Sequence, residues 1–339
     1  MNILDTRTVK VVASKYYNYI FDKTTGSFTR WGKNQEDDPF YSPYGPEIAD
    51  IEVSTSCQGP GGKLCKFCYK SNSPKGKNMS LETFKKVLDN IPNTLTQVAF
   101  GADAQATSNP ELYAMMKYCR SKGIVPNITV ADISDATADW LSKMCGAVAV
   151  SRYENSNICY DSVKKLTDRG MKQVNIHQMI SDETFDQAIE TIYGIKNDTR
   201  LKDVNAIVFL SLKKKGRGDK YTTLTQDQFN ILVSFAFSEG INFGFDSCSA
   251  PKFAKAIKGL YNEKELLVMS EPCESTLFSL YVNVDGMYFP CSFTESITEG
   301  IDMTREDLDF TTDVWNAKST TNFRTALKSS CRNCSAFEV

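Results

Sequence analysis

Cys57, Cys65 and Cys68 fall in one stretch, CQGPGGKLCKFCYK, with the spacing C-x7-C-x2-C. Three thiolates are one short of the four ligands that close a structural zinc site, and the only histidine, His177, lies far along the chain. A 4Fe-4S cubane is normally held by four thiolates, so three would leave one iron without a protein ligand and open to a small molecule. The plainer alternatives are a zinc site completed from elsewhere in the chain and unliganded loop thiols. A second set, Cys273, Cys291, Cys331 and Cys334, reads C-x12-G-x4-C followed, after a long gap, by C-x2-C. Four thiolates can enclose a metal completely, and ligand softness alone does not choose between zinc and an iron-sulfur cubane.

The elements around these residues must bring them to a common surface. TyrTyrAsnTyr at 16–19 begins an aromatic-rich stretch with a Thr-Gly turn, which predicts a β-hairpin from Tyr16 to Trp31, followed by a charged, Pro-containing connector. From Ile48 short β-branched runs alternate with amphipathic helical stretches. The strand IADIEVS precedes a helix capped by Ser80, TQVAFGA precedes a helix ending at Gly123, and further pairs follow as far as INFGFDS. Such alternation implies parallel strands joined by right-handed crossovers, either an open doubly wound sheet or a barrel. The first cysteine set directly follows the first of these strands, at the C-terminal end where parallel α/β folds gather their chemistry. Beyond about residue 270 the alternation stops, and Asp285-Gly286 between SLYVNV and MYFPCSF predicts a hairpin.

Composition narrows the classes of function. With 39 Lys and Arg against 41 Asp and Glu, no global field draws the chain to nucleic acid or an anionic membrane. No run approaches the ~18 apolar residues of a membrane span and the N-terminus has no apolar signal core, so a cytoplasmic protein is expected. An odd total of 11 cysteines without an export signal argues for reduced thiols or metal ligands over a disulfide framework.

The first cysteine loop, with Phe67 just before its third cysteine, resembles the cluster loop of radical SAM enzymes, although the family's commonest first gap is three residues and here it is seven. Gly59, Pro60, Gly61 and Gly62 make the longer loop physically accessible. The resemblance implies a partial (β/α)6 TIM-like barrel with an N-terminal β-hairpin and a small Cys-rich C-terminal module, divided as 1–47, 48–269 and 270–339. It also implies S-adenosylmethionine on the open iron of a cluster held by Cys57, Cys65 and Cys68, cleaved to a 5'-deoxyadenosyl radical by an electron from a donor such as flavodoxin or ferredoxin. Gly101, Ala102 and Asp103 stand where the family carries Gly-Gly-Glu for the methionyl ammonium. Ser151 and Arg152 resemble its ribose and carboxylate contacts, and Phe67 belongs to the same cofactor set. The second cysteine set is similar to the twitch or SPASM auxiliary-cluster domain, which implies a second 4Fe-4S cluster on Cys273, Cys291, Cys331 and Cys334.

Two residues carry a catalytic expectation. Asp246 and Cys248 follow the last strand of the alternating series and should face the same mouth; a thiol can hand a hydrogen atom to a substrate radical and a carboxylate can accept a proton. Cys119, Cys145 and Cys159 are expected to pack as small hydrophobes, His177 to be structural, and the basic run LKKKGRGDK from Leu212 to be solvated loop charge. The function expected is radical chemistry on a peptide, with a small molecule or nucleotide as the alternative substrate and a non-catalytic metal-binding module as the alternative class. Neither a membrane nor a nucleic acid is expected as a partner.

Overall fold

A computed structural model describes residues 1–268, 270 and 273–330. Its N-terminal part is a four-stranded antiparallel sheet in the order β1 (Asn2–Asp5), β2 (Val9–Ala13), β3 (Asn18–Asp22) and β4 (Phe28–Trp31). The hairpin expected between Tyr16 and Trp31 is β3 with β4, and its turn is held by the Asp22 carboxylate, which accepts from the amides of Thr24 (2.8 Å) and Thr25 (3.1 Å). The first two strands are additional to the sequence expectation. Lys10 on β2 explains why they are hard to read: a charged residue occupies a fully buried position, its ammonium donating to the Leu95 carbonyl at 2.8 Å and to Asn93 Oδ1 at 3.1 Å. Burial pulls the Lys10 pKa below its ordinary value against the opposing charge of Asp5.

Seven parallel strands follow: β5 (Ile48–Glu52), β6 (Gln97–Gly101), β7 (Val125–Val130), β8 (Val148–Arg152), β9 (Val174–Ile180), β10 (Ala206–Ser211) and β11 (Phe243–Phe245). Between them run α1 (Leu81–Asn90), α2 (Leu112–Ser121), α3 (Asp135–Met144), α4 (Ser156–Thr167), α5 (Phe185–Asn197) and α6 (Gln226–Ser238). The local signals act as the sequence implies. Ser80 Oγ accepts from the Thr83 amide at 3.0 Å to start α1, and Gly123, at φ +73°, turns the chain after α2 into β7. Helix α1 then buries Phe84, Val87 and Leu88, three positions on one face.

Alternate residues of each strand face opposite ways. Ile51, Phe100, Ile128, Val150, Ile176 and Phe209 are buried in one continuous core with the helices, each worth roughly 1.5–3 kcal/mol of apolar burial. The intervening residues form the inner face, and the register places Asp50 beside Ala99, Ala99 beside Asn127, and Ser151 beside His177.

After α7 (Ala250–Ala256) and α8 (Glu263–Val268), strand β12 (Ser279–Val282) pairs in parallel with β5, Leu280 opposite Ala49. The hairpin at Asp285-Gly286 leads to β13 (Met287–Phe289), which pairs with β14 (Ile301–Asp302), so all ten strands from β5 onward form one sheet in the order β11-β10-β9-β8-β7-β6-β5-β12-β13-β14. Gly286 is at φ +78°, and a Cβ there would come within 2.8 Å of the Thr304 methyl, so the turn needs glycine. Helix α9 (Lys318–Ser330) closes the described structure. No described helix is long and apolar enough to cross a membrane.

Candidate active site and metal centres

The loop after β5 is shaped by glycine and held by arginine. Gly59 takes φ +76°, and a Cβ on it would strike the Lys63 backbone, so the long first gap of the cysteine motif folds only with glycine there. Gln105 Nε2 donates to the Gly59 carbonyl at 2.9 Å, and the Gly61 amide donates to Asp132 Oδ2 at 3.0 Å. On the far side Arg217 donates through Nε to the Cys65 carbonyl at 2.8 Å and through Nη1 to the Asn72 carbonyl at 3.0 Å, while its own amide donates to the Cys68 carbonyl at 3.0 Å. The neighbouring Gly216 lies so close that a Cβ would collide with the carbonyl oxygens of Tyr69 and Cys68.

This corrects the expectation that LKKKGRGDK is solvated charge for three of its five cations, while Lys214 and Lys220 are exposed. Lys213 pairs with Asp246 Oδ2 at 2.6 Å, Lys215 donates to the Phe293 carbonyl at 2.9 Å, and Arg217 clamps the cysteine loop.

Cys57, Cys65 and Cys68 are half-buried free thiols. Burial, with the neighbouring Cys68, pushes the Cys65 thiol up to about 11, so it is protonated in the metal-free chain. Phe67 stacks on Tyr153 with ring centroids 5.7 Å apart and meets Tyr221 edge-on at 6.0 Å. Among the described residues no three His, Cys, Asp or Glu side chains converge tightly enough to enclose a metal ion. The three thiols fit a cluster in donor chemistry and address, being soft ligands on one braced loop at the C-terminal end of a parallel sheet.

Two acidic residues of β5 went unrecognised in the sequence. Asp50 and Glu52 alternate within IADIEVS, and two carboxylates at that spacing in an apolar strand are the signal that would have found an inner face. Asp50 keeps accessible surface, but surrounding protein displaces bulk water and lifts its carboxyl to about 6. Glu52 is buried, and desolvation raises its pKa against the opposing pull of Lys70, whose ammonium lies 3.2 Å away.

The residues expected to contact the cofactor separate into two groups. Gly101 ends β6 with its carbonyl accepting from the Val53 amide at 2.8 Å, and a Cβ on it would meet the Glu52 Cα at 3.2 Å; Ala102 is half-buried beside it. Ser151 stands on the inner face beside His177. Asp103 and Arg152 are placed otherwise. Asp103 is buried with its carboxylate accepting from the amides of Gln105 (3.1 Å), Thr107 (3.0 Å) and Ser108 (2.9 Å), so it shapes the β6–α2 connection. Arg152 is one residue past Ser151 and therefore faces the helix layer, buried, with Glu190 at 3.7 Å.

Asp246 and Cys248 do come together with Lys213 and His177. Burial opposes the charge of Lys213, yet Asp246 and Cys248 hold its pKa above the ordinary lysine value. The Asp246 carboxylate also accepts from Ser249 Oγ. His177 is pushed down to about 4 by desolvation, which Asp246 partly offsets, so it is neutral near pH 7. Cys119, Cys145 and Cys159 are buried in the core.

In the second set Cys273 and Cys291 are half-buried, and Cys331 and Cys334 lie outside the described residues. Cys291 follows β13 after Pro290, and its carbonyl accepts from the Thr294 amide at 2.9 Å in a tight turn. The two described cysteines thus sit on segments that flank the edge of the barrel sheet.

Residues 273–335 match the SPASM family model, an iron-sulfur cluster-binding domain. The structure of SuiB from Streptococcus suis aligns with a TM-score of 0.68 at 12% identity, covering 95% of this chain and 90% of SuiB. A second structure, SuiB bound to S-adenosylmethionine, aligns with the same TM-score and coverage. The chain has the fold of SuiB and carries a SPASM domain over residues 273–335. No curated protein matches it in sequence. Within the matched region, β12 extends the parallel sheet by pairing with β5, the strand that leads into the first cysteine loop.

Proposed function

We propose that this radical SAM SPASM protein is an enzyme that takes a hydrogen atom from a peptide substrate held at the barrel mouth. The observation that carries the proposal is the placement of three thiols on the loop after β5, in a fold shared with an S-adenosylmethionine-bound neighbour, with an Asp246–Lys213–Cys248 cluster at the end of β10 and β11. S-adenosylmethionine and iron-sulfur clusters are the cofactors, and together they supply reductive cleavage to an adenosyl radical. Cys57, Cys65 and Cys68 would hold the first cluster. The SPASM cysteines would hold the second, and an external one-electron donor of the flavodoxin or ferredoxin kind would supply the electron.

This chain's own residues supply the rest. Phe67, stacked on Tyr153, offers a flat apolar wall, and Ser151 on the inner face offers a hydroxyl that both donates and accepts. Cys248 has the weak S–H bond of a hydrogen donor, and Asp246 beside it can take a proton. Lys213, Lys215 and Arg217, three of the five cations in the run, are engaged within the chain, which leaves fewer for a triphosphate and favours a peptide over a nucleotide.

Anaerobic reconstitution with iron and sulfide, then addition of a strong reductant and S-adenosylmethionine, should yield 5'-deoxyadenosine and methionine. A Cys248→Ala variant should keep that cleavage and lose or redirect the peptide product. Absence of cleavage in an iron-loaded chain would end the enzyme reading, and unchanged product in Cys248→Ala would return that thiol to a packing role.

A further inference from the structure

The loop of Cys68 and the loop of Cys291 meet through the two residues that follow Cys68. Tyr69 lays its ring against Phe293 with centroids 4.5 Å apart, and its hydroxyl reaches Ser292 Oγ at 3.4 Å; Ser292 directly follows Cys291. Lys70 places its ammonium 3.2 Å from Glu52 Oε2, pairs with Glu295, and donates to the Tyr281 hydroxyl at 2.8 Å. Glu295 in turn accepts from Asn283 Nδ2 at 2.8 Å, in the turn after β12. The Lys70 and Glu52 side chains are only 11% and 7% exposed, so this contact excludes most of the solvent that would screen it. A buried ion pair of this kind adds little net stability compared with apolar packing, but breaking it by removing one partner is costly, which makes it a device for fixing one arrangement.

We propose that Tyr69 and Lys70 link the two metal-ligand loops into one body, so that filling the SPASM site strengthens metal retention at the Cys57, Cys65, Cys68 site, and the reverse. The proposal rests on the reading that both cysteine sets hold clusters. Its physical basis is that a cluster closing on Cys291 fixes the turn bearing Ser292, Phe293 and Glu295. That turn is the surface on which Tyr69 and Lys70 pack, so the entropy of ordering the Cys68 loop is already partly met. Coupling between two binding sites is reciprocal, and its usual size is about five- to 150-fold in affinity.

The test is a chelator titration of the reconstituted full-length protein, following cluster absorbance and iron content. In the wild-type background, emptying the SPASM site with Cys273→Ala and Cys291→Ala should lower the chelator concentration that strips half the first-site iron by about tenfold. In a Tyr69→Leu, Lys70→Met background the same emptying should change it less than twofold. A merely structural role for the pair would lower retention at both sites without altering the dependence of one on the other. Should that double variant fold poorly, Glu295→Gln removes the Lys70 contact alone and should give an intermediate coupling. Equal effects of emptying the SPASM site in both backgrounds would overturn the linkage. A wild-type chain that takes up no iron would instead remove the metal reading itself, and the linkage with it.

Discussion

Which side of a strand a residue faces decides where the residues singled out in the sequence come to stand. Ser151 and Arg152 are neighbours in AVAVSRY, an apolar run with no alternation to fix its phase, and the one-residue difference puts Ser151 on the inner face and Arg152 among the helices. Asp103 was unreadable for a different reason, since its partners are amides of a loop that turns back on it. The cysteines were legible because residue type and spacing carry the signal without geometry. The inner-face groups lead to a pH prediction. His177, pushed down to about 4, resists protonation more when folded than its ordinary 6.5, so its contribution is complete above pH 6.5 and is lost as pH falls from there toward 4. Asp50, lifted to about 6 from 3.8, acts in the opposite sense, its contribution being complete below 3.8 and lost as pH rises through 6. Urea unfolding at fixed pH should therefore show Asp50→Asn losing stability with acid more steeply than wild type between these values. His177→Gln should lose less, each change being of order 1 kcal/mol after allowing for the solvent both groups still see. Parallel pH curves for all three proteins would contradict these assignments.

At the scale of elements, the βα series from β5 to β11 could be read from periodicity, caps and turn residues because those signals are local. The parallel pairing of β12 with β5 could not, since it joins residues more than two hundred positions apart and nothing in SLYV names its partner. The β1–β2 pair was hidden by short length and by Lys10, whose burial depends on the distant Leu95 carbonyl. The loop from β10 to α6 is the element whose role changed most, from solvated charge to a brace across the cysteine loop. Removing its clamp with Arg217→Met deletes two charge-assisted hydrogen bonds to the Cys65 and Asn72 carbonyls, each of a type worth about 1.5–3 kcal/mol. Amide hydrogen exchange across residues 65–72 should accelerate at least tenfold, while the β5–β10 strands keep their protection. Uniform acceleration across the barrel would show that Arg217 supports the whole fold and not the loop.

Across the whole molecule, a near-balance of charge accompanies one continuous ten-stranded sheet that organises the described cysteines of both sets. The sheet carries Cys57, Cys65 and Cys68 just after β5, and Cys273 and Cys291 flank the hairpin of β12, which pairs with β5, and β13, which pairs with β12, so these five cysteines share one support. Resemblance in the cysteine motifs predicted both centres, and the SPASM match and the SuiB fold agree with that organisation. What the sequence lacked was the junction between them, made by Tyr69, Lys70, Phe293 and Glu295 across more than two hundred residues. Iron counting with electron paramagnetic resonance on the reduced, reconstituted protein, with and without S-adenosylmethionine, tests whether the two cysteine sets hold two clusters. About eight irons per chain, in two cubanes, are expected. S-adenosylmethionine should perturb one signal, and that signal, with about half the iron, should vanish in the Cys57→Ala, Cys65→Ala, Cys68→Ala variant. A protein that holds only zinc, or whose iron signals ignore S-adenosylmethionine, would contradict that expectation.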